Sequence, residues 1–279
     1  MDKKEFKDFF EPYSKNVDNA NTQAFWKLSD ALILEIIKQN IPADDSRDSV
    51  IFDAGGGTGR WICDLAKVYE ADFILYDLSE DMLAVAKNNI AKAGIEPRVN
   101  LIQGDLADIK SVPDSSVDHI ISIYSPISFI EKKERAAAEL FRILKKGGTI
   151  LIMGHGYCNA LASKINNYAA GPRELRQIAA GSMVKWGDSV PKLNIFSQES
   201  MEALLADAGF TPVRTYGVPV FVQPGNEDFD AANSAKSRIS AALEDPAFYN
   251  QVFQTEMEFN CKKTIANRGM NIFSVAKKQ

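Results

Sequence analysis

Three aspartates and a run of glycines carry the chemistry that this sequence announces first. Val50-Ile51-Phe52-Asp53 is apolar until its last member, Ala54-Gly55-Gly56-Gly57-Thr58-Gly59 follows, and from Arg60 to Tyr69 the chain takes up a helical rhythm. A strand running through glycines into a helix brings backbone N–H groups and a helix N-terminus against a ligand. The acid at the strand end can hold a cation or polar group of that ligand. A dinucleotide fingerprint, G-x-G-x-x-G, fails because Arg60 stands where the third glycine would fall. No Gly-Lys-Ser/Thr closes the loop, so a phosphate-cradling P-loop fails too. The pattern that stands is D-x-G-x-G-x-G: Asp53, Gly55, Gly57 and Gly59.

Asp77 and Asp105 end two further apolar runs, Ala71–Asp77 and Val99–Leu106. An acid closing the second strand is placed to accept hydrogen bonds from both ribose hydroxyls of a nucleoside. Ser79 then caps a helix with Glu80 and Asp81 in its first turn, as the helix dipole prefers, and Met82, Val85 and Ile90 supply its buried side.

At these residues the sequence resembles the class I S-adenosylmethionine-dependent methyltransferases. D-x-G-x-G-x-G has the form of the family's first motif, and Asp77-Leu78-Ser79-Glu80-Asp81-Met82-Leu83 looks like its second. Phe141 to Met153 is similar to its fifth-strand region. The resemblance covers roughly residues 48–154 closely and 197–222 and 270–277 more weakly. It implies S-adenosyl-L-methionine as methyl donor and S-adenosyl-L-homocysteine as product. Asp53, Gly55, Gly57 and Gly59 would hold the methionine moiety, Asp77 the ribose, and Asp105 and Leu106 the adenine, with Leu78, Met82 and Tyr124 also in the cofactor site. The family fold is a doubly wound, seven-stranded Rossmann-like α/β sheet with its last strand antiparallel.

The elements that must position these residues follow the same order. After the Asp105 run, Val117–Tyr124 reads as a fourth strand and Glu131–Leu144 as a helix closed by Gly147-Gly148. Thr149–Gly154 reads as a fifth strand. Strands alternating with helices make a parallel sheet whose ligands bind beyond the carboxyl ends. Tyr124 and His155 stand at such ends. His155 is a candidate general base. Tyr124 is a second catalytic candidate, or an aromatic wall for a sulfonium cation. Val213–Val222 and Met270–Lys277 complete the sheet, and Ser197–Ser200 opens a helix over 201–208.

Three segments lie outside that sheet, all within one domain spanning 1–279. Residues 1–40 form an N-terminal helical cap, with Phe6, Phe9, Phe10 and Tyr13 at helical spacing, Pro12 interrupting, and a second helix over Asn21–Asn40. Residues 156–196 form a lid insertion whose glycines permit motion. Residues 223–268 form an insertion of two helices, roughly 228–244 and 246–266.

With 279 residues and 46% hydrophobic content the chain can bury a large core. A net charge of −5 disfavours nucleic acid as partner. Cys63, Cys158 and Cys261 form neither a CxxC pair nor a metal-ligand cluster, so no metal is expected. No apolar run reaches membrane-spanning length and the N-terminus shows no signal-peptide core, so a soluble cytoplasmic protein is expected. Ser125-Pro126-Ile127-Ser128 replaces the Asn/Asp-Pro-Pro-aromatic run of the branch that methylates base amines, and the Pro-Cys of cytosine carbon-5 enzymes is absent. A small, apolar or aromatic methyl acceptor is therefore expected. An RNA methyltransferase, a non-catalytic S-adenosylmethionine-binding protein and an enzyme using the cofactor for other chemistry are the alternatives. Oligomeric state is not encoded in any of these features.

Overall fold

Why the sheet forms is visible in its central strands, which are largely apolar because helices cover both faces. A computed structural model describes residues 9–12, 14, 17–43, 48–181, 183–187 and 190–279. The strands are β1 (Val50–Ala54), β2 (Asp72–Asp77), β3 (Val99–Gln103), β4 (Val117–Ser122) and β5 (Leu144–Gly156), then β6 (Met183–Val184), β7 (Leu193–Phe196), β8 (Thr211–Val218) and β9 (Asn271–Lys277). Seven of them make the main sheet in the order β3-β2-β1-β4-β5-β9-β8. β1 to β5 pair in parallel, and β9 runs antiparallel to both β5 and β8. The order reverses between β1 and β4, which opens a crevice at their carboxyl ends.

On one face lie α1 (Ala24–Asn40), α2 (Arg60–Leu65) and α3 (Glu80–Ala93), and on the other α4 (Lys133–Ile143). Ser79 caps α3 as expected, its side chain accepting from the Met82 N–H, and Gly94 ends that helix in the left-handed region. After β5, α5 (Tyr157–Asn166) and α6 (Pro172–Gly181) precede the β6–β7 hairpin. After it come α7 (Gln198–Asp207), α8 (Arg238–Ala242) and α9 (Pro246–Phe259). Among the described residues no helix is long and apolar enough to cross a membrane.

Several local expectations change. Residues 156–196 contain strands as well as helices: β7 pairs with the end of β5 and with β6, and Ala160, Ile178, Val184, Leu193 and Ile195 form a small core of their own. Lys164 ties α5 to α6, its Nζ 2.7 Å from Glu174 and 4.9 Å from the Tyr168 ring centroid. Gly156, read as a hinge, is clamped in β5, where a Cβ would meet the Gly269 carbonyl at 2.1 Å. The last parallel-side strand ends at Val218 rather than Val222, because the N–H groups of Val220, Phe221 and Val222 turn to the Glu256 carboxylate. The helix expected over 228–244 breaks after the short turn Asn226–Phe229, where Asp230 accepts from Ala232 and Ser234 in a local turn. Likewise α9 stops at Phe259 instead of running to 266. The second N-terminal helix starts at Ala24, not Asn21. Phe6 and Tyr13 lie outside the described residues.

Candidate functional site

The crevice at the β1/β4 reversal opens into a cavity of about 1650 Å³. Gly55, Gly57, Asp77, Leu78, Met82, Asp105, Leu106, Tyr124 and His155 all line it, so the structure gathers nearly all the residues singled out in the sequence. Asp53 and Gly59 are not on its wall.

The loop is preorganised by its own backbone bonds. The N–H groups of Gly55 and Gly56 donate to the Tyr76 carbonyl, and that of Gly59 to the Gly56 carbonyl. Gly57 adopts φ +54°, which favours glycine, and its N–H donates to Asp77 Oδ2 at 2.9 Å. With these donors spent internally, those four glycines do not cradle an anion. They shape a surface.

Asp77 is 9% exposed; its Oδ1 also accepts from the Ser79 N–H at 2.8 Å. Burial pushes its carboxyl above the ordinary range, while the N–H groups of Ser79, Gly57 and Leu78 pull it back. Asp105 Oδ1 accepts from the Ala107 N–H at 2.8 Å. Asp53 is 2% exposed and lies behind the loop: a Cβ at Gly56 would sit 2.6 Å from its Oδ2, an oxygen that has no hydrogen-bond partner. Burial, and then the charge of Asp77, push the Asp53 carboxyl up to about 8. Asp53 is thus a protonated acid beneath the loop at neutral pH.

A pH test follows with a definite sign. The folded carboxyl binds its proton up to about pH 8 and the unfolded one only to about 3.8, so this group's contribution to stability falls as pH rises across that window. Asp53→Asn should flatten the decline and leave the variant more stable than the parent at pH 8 by a few kcal/mol. Urea unfolding at pH 5 and pH 8 checks this; parallel pH profiles for the two proteins would show Asp53 ionised in the fold.

Tyr124 and Ser125 leave β4 with consecutive positive φ values, +57° and +70°, a strained arrangement for residues with side chains. The Tyr124 hydroxyl donates to Asp30 Oδ1, and Arg60 grips the same carboxylate through Nη1 at 2.5 Å and Nη2 at 3.2 Å. Burial, with Asp30 beside it, raises the Tyr124 phenol well above its usual range. Its hydroxyl is therefore committed to α1, which leaves the ring as its contribution to the wall. Trp26 packs edge-on against that ring at 5.7 Å and Phe229 against Trp26 at 5.5 Å.

His155 sits on β5 with its N–H donating to Ser128 Oγ at 3.0 Å and Phe129 packed 6.4 Å from its ring. Burial pushes the imidazole down to about 4, so it is neutral at pH 7.

Sequence reasoning missed Asp18, Asp30, Arg60 and Asn271. Asp18 accepts from Thr58 Oγ1 at 2.9 Å and lines the cavity beside the glycine loop. Arg60 carried a signal, since it occupies the position where a dinucleotide loop has glycine. Asn271 opens β9 and is 2% exposed on the cavity wall. Among the described residues no cluster of His, Cys, Asp and Glu could hold a metal ion.

Residues 51–148 match the family model for a methyltransferase domain. The ubiquinone/menaquinone biosynthesis C-methyltransferase UbiE of Vibrio parahaemolyticus is 25% identical over 183 residues, 60% of this chain and 66% of that protein, so the chain matches slightly under two thirds of that relative's length. Among solved structures, a chain from the complex of the Haloferax volcanii Trm112 methyltransferase activator with its methyltransferase has TM-score 0.59 and 15% identity. That match covers 96% of this chain and 97% of the other. An S-adenosylmethionine-dependent methyltransferase of Mesorhizobium loti has TM-score 0.55 and 17% identity, covering 92% and 99%. These two likenesses concern the fold; the domain match makes residues 51–148 a methyltransferase domain, and the curated relative that the chain resembles is a methyltransferase.

Proposed function

We propose that the chain transfers the methyl group to a small, largely apolar or aromatic molecule. One observation carries the reading: a single cavity runs from the glycine loop past Tyr124 to His155, and all three segments outside the sheet wall it in. Its far part is aromatic. Phe10 and Phe129 lie 5.2 Å apart, and Tyr168 and Trp186 5.8 Å apart. Five acids against three lysines and arginines line the cavity, a poor match for a phosphate backbone.

The residues at the near end fit the donor. Asp77, 9% exposed on the wall, keeps lone-pair capacity for the ribose hydroxyls beyond the N–H bonds it accepts. Leu78 and Met82 supply apolar contact beside it, and Asp105 with Leu106 forms the adenine end. Asp53 supports the loop from behind rather than touching the ligand, and Gly55, Gly57 and Gly59 set the loop's path. The donor supplies an activated methyl on a sulfonium; the protein aligns the acceptor with it and excludes water. The Tyr124 ring suits the neighbourhood of that cation.

His155 offers one unprotonated ring nitrogen, which takes the acceptor's proton as the methyl arrives. Because its imidazole protonates only near pH 4, the rate should be flat in this group from pH 6 to 8 and fall as pH drops toward 4. His155→Gln should lower kcat by about 100-fold while cofactor affinity holds. Full activity in the variant would remove His155 from proton transfer, whereas a limb with a midpoint near 6.5 in the parent, lost in the variant, would show that burial does not hold its imidazole down.

The function itself is tested with methyl-labelled S-adenosylmethionine and a low-molecular-weight cell extract, run beside total RNA. Label in organic-extractable small molecules is the expected result. Label only in RNA would select the nucleic-acid reading.

A further inference from the structure

His155 and Asn271 are direct cross-strand partners in the antiparallel β5–β9 ladder, so their side chains project from the same face of the sheet. Both line the cavity. Asn271 is 2% exposed, and its Oδ1 is taken: Ser125 Oγ, itself fully buried, donates to it at 3.0 Å. That bond fixes the amide and turns Nδ2 away from Ser125. Nδ2 has no partner among the described residues, yet it is not enclosed by protein as the unpartnered Asp53 Oδ2 is, which leaves the cavity as its outlet. A buried amide donor held at one end and open at the other is costly unless something accepts from it.

We infer that Asn271 is a specificity-determining residue of the acceptor site: its Nδ2 donates to an oxygen on the acceptor's ring, and Ser125 is the positioning residue that holds it. This rests on the small-molecule reading above and narrows it to an oxygen-bearing acceptor, in which a hydroxyl oxygen accepts from Asn271 while its proton faces His155. The strained Ser125 backbone then has a use, since φ +70° is what sets its Oγ against Asn271. Two aromatic pairs among the lining side chains, Phe129 with Phe10 and Trp186 with Tyr168, suit a flat ring.

The test uses binding alone. 1-Naphthol and naphthalene are titrated into the protein saturated with S-adenosylhomocysteine, followed by calorimetry. The parent should bind 1-naphthol about tenfold more tightly, the gain expected from one hydrogen bond to a buried group. Asn271→Asp keeps the size and the acceptor for Ser125 but removes the donor, and should bring the two probes within twofold. Asn271→Leu should do the same, and guards against an effect of the introduced charge. Naphthalene and S-adenosylhomocysteine affinities should stay within twofold of the parent, which reports an intact site. Equal binding of both probes by the parent would overturn the inference, and so would a preference that survives either substitution. Because no turnover is needed, these outcomes stand apart from the labelled-methyl screen: absence of methyl transfer with the preference intact would fault the function and leave Asn271 in place.

Discussion

Replacing Asp77 with alanine is expected to weaken S-adenosylhomocysteine binding by about 2–3 kcal/mol, roughly 30- to 150-fold in Kd. Two effects add at this residue. The carboxylate presents its remaining lone pairs to the cavity, and it also fixes Gly57 and Ser79 through their N–H groups at 2.9 and 2.8 Å. Asp77→Asn keeps one carbonyl oxygen and should lose less. Fold stability should change less than binding, because relief of the buried charge offsets part of the loss of the Gly57 and Ser79 hydrogen bonds. Calorimetric titration decides the matter, and an alanine variant that binds like the parent would remove Asp77 from the ribose site.

Glu256→Ala is expected to have the largest effect on stability, about 3–5 kcal/mol. Glu256 is fully buried; Oε2 accepts from the Val220 N–H at 2.7 Å, and Oε1 from Phe221 and Val222 at 2.8 and 2.9 Å. Truncation would leave three donors of the chain that leaves β8 without their acceptor. Val220 lines the cavity, so loosening this stretch should also weaken the acceptor compartment. Glu256→Gln retains an acceptor oxygen and should cost less than half as much. Guanidinium unfolding midpoints for the two variants measure it; an alanine variant within about 1 kcal/mol of the parent would mean water satisfies those N–H groups.

The sheet and most of the cavity wall around the glycine loop were legible in the sequence because they depend on local pattern. Apolar runs closed by Asp77 and Asp105, the capped start of α3 at Ser79 and the glycines after Asp53 each declare themselves within a few residues. Asp53 was legible as a strand end but not in its depth. It pairs with Leu75, so Asp77 lies two residues, about 6.6 Å, further toward the open edge, and only the register reveals that the loop covers one acid and not the other. The β6–β7 hairpin escaped notice because two residues of β6 carry no period. Its stability comes instead from pairing with the tail of β5 and from a local core. Asn271 and Ser125 are 146 positions apart, and nothing short of the fold joins them. The break after Phe229 was hidden by an amphipathic-looking stretch whose Asp230 turn wins over helix propensity.

On the proposed function, the segments outside the sheet close an acceptor compartment over the cofactor. Residues 156–196 carry the most of that wall, with Cys158, Asn159, Tyr168 and Trp186 on the cavity and their own small core behind. Amide hydrogen exchange, with and without S-adenosylhomocysteine together with the acceptor that the labelled-methyl screen returns, measures it most directly. The account predicts that 156–196 exchanges fastest among the described segments in the free protein and gains protection when both ligands bind. Protection confined to the glycine loop and Asp77, with 156–196 unchanged, would contradict it and place the acceptor elsewhere.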